Sequence, residues 1–129
     1  MEIEKMNKKL ARITKAGLEI KERGILNFWI EVNYEDGFSQ GVGGLALDEY
    51  NETTKKRQGT AYGCEIIRQL LIVLDVNNLN ESEGITLYVI GEGDGFNFEV
   101  KGIERLHLDG GKSVVFGDVA SQFIDKAIQ

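Results

Sequence analysis

The chain has 129 residues, 42% of them hydrophobic, which suits one domain with its own core and excludes a disordered segment. Its 15 Lys and Arg stand against 21 Asp and Glu, a net charge of −6. A phosphate-backbone binder needs a surplus of cations on its contact face, so no direct nucleic-acid partner is expected. The single cysteine excludes an intrachain disulfide, and a reducing compartment follows as the expectation. The opening "MEIEKMNKKLARITK" lacks the apolar core of a signal peptide, and the run "LLIVL" at 70–74 is far shorter than a membrane span. The expected location is the cytosol, with no membrane partner.

In chain order, residues 1–9 read as a polar, flexible lead-in, and 12–20 as a first strand. "ILNFWIEVNY" (25–34) alternates with period two. Leu26, Phe28, Ile30, Val32 and Tyr34 fall on one face, and Asn27, Trp29, Glu31 and Asn33 on the other. "EDG" (35–37) marks a hairpin turn into a returning strand at 38–47. The polar stretch 48–59 has neither period and reads as a surface loop. Residues 60–76 form the clearest helix: Ile66, Ile67, Leu70, Leu71 and Leu74 share a face, and Thr60 is placed to cap it. Ile72 and Val73 widen that stripe, predicting cover over much of the girth. Strands are expected at 85–90, at 96–108 as one long strand or two with a kink at Gly102, and at 113–116, with "GEGDG" and "DGGK" (109–112) as turns. Asp118 is expected to cap a short last helix with Val119, Phe123, Ile124, Ala127 and Ile128 on one face. The order β-β-β-α-β-β-β-α predicts a single α+β domain over 1–129. Its mostly antiparallel sheet of about six strands would carry one long central helix and a short C-terminal helix.

"GVGGLA" (41–46) matches a variant of the dinucleotide fingerprint. A true site runs strand, glycine turn, helix, and here the glycines follow a hairpin and precede a stretch without a helical stripe. The favoured reading is a strand whose bare backbone lets a helix or an aromatic ring approach closely, with Gly63 as a gap on the helix side. "GEGDGF" lacks the ligand pattern of a calcium loop. His107 is the sole histidine and Cys64 the sole cysteine, so no metal site is expected, and Cys64 reads as a packed structural thiol. No nucleophile signature is present and no cofactor is expected. Trp29 lies on the polar face of its strand, where it marks a partner surface or a spot that other structure covers.

"ILNFWIEVNYEDGFSQGVGGLALDEY" followed by "GTAYGCEIIRQLLIVLDV" resembles a group of small phage and prophage proteins of unassigned function. The likeness leaves out the N-terminal lead and everything after Lys112. No catalytic residues are carried over by it. It implies a mobile-element origin and an accessory or counter-defence role, such as that of an anti-CRISPR protein, in the cytosol of the host cell. The first expectation is therefore a non-enzymatic protein that binds and inhibits a host protein or complex. Trp29, Glu31, Asp48, Glu49 and Glu52 are its candidate contact residues, and self-association as a homodimer is left open. The alternative is a small-molecule or nucleotide-signal binder using Gly43 and Gly44 of the glycine-rich strand with Thr60 and Tyr62 at the helix start.

Overall fold

A computed structural model describes residues 6–106 and 112–128. The chain is α+β. Six strands form one antiparallel sheet: β1 (Asn7–Ile20), β2 (Leu26–Tyr34), β3 (Ser39–Ala46), β6 (Thr86–Glu92), β7 (Glu99–Arg105) and β8 (Ser113–Val115). Their spatial order is β3-β2-β1-β6-β7-β8, and β4 (Asp48–Asn51) and β5 (Lys56–Gly59) make a separate two-stranded ribbon. Helices α1 (Ala61–Leu74) and α2 (Phe116–Ile128) pack against each other and against β7 and β8.

The core lies between the helices and one sheet face. Phe28, Ile30 and Val32 of β2 meet Leu87 and Val89 of β6, Ile103 of β7, and Ile66 and Leu70 of α1, all fully buried. Each such side chain removed from water stabilises the fold by about 1.5–3 kcal/mol. The predicted face of β2 is the one that is buried. Helix α1 begins where Thr60 predicts: its hydroxyl accepts from the Gly63 N–H at 2.9 Å and donates to the Leu47 carbonyl at 3.2 Å. It ends on Asp75, in the left-handed region at φ 57°, whose N–H returns to the Ile72 carbonyl.

Several expectations are corrected. The lead-in does not extend to residue 9, because β1 starts at Asn7 and Met6 is buried with Ile90 and Val115. Pairing with β6, from Asn7 opposite Gly91 to Lys9 opposite Val89, orders this polar stretch, which no hydrophobic alternation announces. The stretch 48–59 is a hairpin rather than a loop. Its turn is held by the Asn51 side chain, which accepts from the N–H groups of Thr53 and Thr54. A two-stranded ribbon with no core face leaves no period in the sequence. The helices are nearly equal, 14 residues for α1 and 13 for α2, so the contrast of long with short fails. Ile72 is 40% exposed and Leu71 only half-buried, so α1 is covered on one side. A 3-10 turn at Gly95–Asn97 replaces the start of the expected 96–108 strand. At Gly102 β7 is irregular but unbroken: Ile90 faces Gly102 and Gly91 faces Val100, so Lys101 is an extra residue beside Gly102, and a side chain on Gly102 would overlap the β8 backbone at Val114. Helix α2 starts at Phe116, so Asp118 sits inside its first turn, where a carboxylate favours the dipole. The "DGGK" turn, except for Lys112, and His107 lie outside the described residues, as do the side chains of Ile124, Ala127 and Ile128.

Candidate functional site

Among the described residues, no helix packs on the second face of the sheet. On β1 this face presents Lys8, Arg12 and Lys15, all exposed. A bulge at Thr14 keeps Lys15 outward, because it restarts the alternation so that Ile13 and Ala16 both turn inward. Trp29 of β2 stands on this face, opposite Gly17 of β1 and Gly43 of β3, and is 36% exposed. Its indole lies flat on Gly41: a Cβ at that position would overlap the far edge of the ring. The Lys21 ammonium sits 5.0 Å from the ring centroid. Glu31, the next residue on the same face, is half-buried and accepts from the Thr14 hydroxyl at 3.2 Å through both its carbonyl and its carboxylate.

This geometry accounts for "GVGGLA". Gly41 seats an aromatic ring. Gly43 and Gly44 lie at φ 132° and 77°, in a bulge where β3 spends one more residue than β2 between Asn27 and Trp29. A side chain on Gly43 would strike the Phe28 carbonyl. Gly63 lets the first turn of α1 rest on the Leu47 backbone. Only Gly44 has open space beyond its backbone requirement.

The five expected contact residues do not form one patch. Trp29 and Glu31 share the open face. Glu49 and Glu52 are exposed on the β4–β5 hairpin. Asp48 is not an exposed loop carboxylate: its side chain is 7% exposed, bonded to Arg57 at 2.8 Å and to the Leu26 N–H at 3.0 Å. The Arg57 hydrogen bond holds the Asp48 carboxyl below the usual carboxylate range. Asp48 thus ties the hairpin to the start of β2.

The residues of the small-molecule reading also separate. Thr60 and Tyr62 line a hollow at the start of α1 with Asp48, Glu49 and Phe123, whereas Gly43 borders a different groove with Phe98, Val100 and Phe116. The Thr60 hydroxyl is committed to its cap, and the Tyr62 ring meets Phe123 edge-on at 6.2 Å. Two carboxylates beside the helix N-terminus oppose a phosphate there. Cys64 is exposed on the first turn of α1 and not the packed thiol expected from sequence; its neighbour Gly63 takes the buried position.

One arrangement escaped the sequence. At the far end of the sheet, the Lys9 ammonium lies 4.1 Å over the Tyr34 ring and 5.1 Å over Phe98. Together with Asp36, Phe38 and Gln40, Lys9 and Tyr34 line a pocket of about 180 Å³. Burial, with the Asp36 charge adding, pushes the Tyr34 phenol up to about 12, so it stays protonated and bonds to Gln40. These residues are separated in sequence by up to 89 positions, and only strand pairing joins them. Among the described residues, no three or more His, Cys, Asp or Glu side chains gather as a metal site, and no helix is long and apolar enough to cross a membrane. No protein-family model matches the chain, and neither a curated protein nor a solved structure matches it significantly.

Proposed function

We propose that this chain is a non-enzymatic binding protein that captures a partner protein on the open face of its sheet, with Trp29 as the anchor. The observation that carries the reading is the indole itself. It is a large ring, one-third exposed, held flat on a glycine and steadied by a cation. Tryptophan dominates binding energy where it is preorganised and then fully desolvated. Lys15 beside it is an exposed cation, and Glu31 adds a fixed acceptor, so the face offers an apolar centre with a polar rim. The resemblance supplies the setting: a mobile-element accessory protein that inhibits a host factor in the host cytosol, an anti-CRISPR role among the options. The exposed carboxylates of Glu49 and Glu52 fit steering toward a basic partner.

The test is capture from host lysate with the tagged chain and with Trp29→Ala. A partner retained by the wild type and lost by the variant, with circular dichroism unchanged, is the expected result. Equal capture by both proteins removes the open face as the contact surface. The lone tryptophan adds a direct readout, since its emission should shift to the blue as the partner covers it.

The small-molecule or nucleotide-signal reading rests on the hollow at the start of α1. A thermal shift with nucleotides tests it, because a ligand at a hundred times its dissociation constant stabilises by about 2.7 kcal/mol.

A further inference from the structure

Strand β1 is paired with β2 from Ala11 to Ile20, but with β6 only from Asn7 to Arg12. Past Ile13 its other edge is handed briefly to the segment before β6. The Gly84 N–H reaches the Ile13 carbonyl at 2.7 Å, and the Ala16 N–H reaches the Glu83 carboxylate at 3.2 Å. Beyond Ala16 no strand lies beside this edge among the described residues. The Ala16 bond also fixes directions. Its N–H points away from β2, whereas the Lys21 N–H points into the hairpin toward the Ile25 carbonyl. Alternation between the two turns the backbone groups of Leu18 and Ile20 outward.

The side chains on this stretch are those that an edge strand ordinarily avoids. Leu18 is 54% and Ile20 64% exposed, neighbours on one face of an unpaired edge, and the chain has no proline to block pairing. We infer that the edge Glu19–Lys21 pairs antiparallel with the same segment of a second copy, about a two-fold axis at Ile20, making one continuous sheet through both molecules. The charges select the occupant and the register. Glu19 and Lys21 flank Ile20 symmetrically, so an axis at Ile20 places Glu19 of each copy opposite Lys21 of the other. Both are exposed, and within one chain they stand 3.4 Å apart. On the other face the axis gathers Leu18 and Ile20 of both copies as facing and diagonal pairs. An axis at Glu19 sets like charges opposite each other, one at Leu18 sets Lys15 against Lys21, and one at Gly17 meets the Glu83 carboxylate that already occupies Ala16.

This inference does not depend on the partner-capture reading, although Lys21, whose ammonium lies over the Trp29 ring, belongs to both. The interface is short, so the dimer is weak and concentration-dependent. Sedimentation equilibrium over a concentration series should show a reversible monomer–dimer equilibrium. Ile20→Lys should abolish it with circular dichroism unchanged, since the side chain is exposed. Glu19→Lys and Lys21→Glu should each weaken association by about three-fold or more, and the double swap should restore it. A chain that stays monomeric throughout the series overturns the proposal, as does a dimer indifferent to Ile20→Lys. Failure of the double swap to restore association overturns the register.

Discussion

The two faces of the six-stranded sheet are built from alternate residues of the same strands, yet they obey different rules. Toward the helices, Phe28, Ile30 and Val32 have no exposed surface and mesh with Ile66 and Leu70 of α1. Toward solvent, the alternate residues are Trp29, Glu31 and Asn33, with Asn27 buried, and among the described residues Met6, Ile90 and Val115 make a small buried cluster there. Each face also uses a glycine to admit a neighbour. On the covered side Gly63 admits backbone, the Leu47 carbonyl, and on the open side Gly41 admits a side chain, the Trp29 ring. Backbone cannot swing away and an exposed indole can. A substitution is therefore felt as lost stability on the covered face and as a displaced ring on the open face.

The contrast breaks most visibly at Gly63. Gly63→Ala adds a single carbon against the Leu47 backbone, and a loss of about 4 kcal/mol or more is expected in urea unfolding. A loss near zero would mean that α1 does not rest on β3's end as the structure has it.

A smaller effect is expected at Asp48, which joins the hairpin to the sheet. Its folded pKa lies below the unfolded value, so its contribution is present above the unfolded pKa of about 3.9 and is lost as pH falls through the folded value. Asp48→Asn should lower stability at neutral pH and flatten the decline below about pH 4. An unchanged pH profile would free Asp48 from its structural role.

The smallest effect on stability is expected at Gly41. Gly41→Ala should cost under about 1 kcal/mol, because the ring can tilt outward. The tryptophan emission should nevertheless shift to the red as the indole leaves its seat. Gly41→Ala unfolding the chain would show that both faces are rigid and erase the distinction.

Much of this was readable before folding. The alternation of "ILNFWIEVNY" assigned both faces of β2, and Thr60 with Ile66 and Leu70 placed α1. The glycine-rich run was legible as a packing device because no helix follows it. What escaped was whatever lacks a hydrophobic period. The β4–β5 hairpin has no core face, and the first residues of β1 are polar. The bulge at Thr14 switches which residues of β1 face inward, so a fixed period of two misassigns one half of the strand. The candidate site was legible in one residue: Trp29 stood on the polar face, but nothing local told that Gly41, twelve positions on, would seat it. Asp48 reads like any surface acid until Leu26 and Arg57 are seen around it.

By itself the sequence determined the α+β class, the buried face of β2, the start of α1 and the exclusion of an intrachain disulfide. These depend on period, capping chemistry and composition, which act within a few residues. Only the tertiary structure decided which glycine serves which neighbour, that Asp48 is structural, that Lys9 meets Tyr34 and Phe98, and that β1 outruns β6 to leave an apolar edge. Each of these follows from strand register across long separations, and register is set by the packing of whole elements.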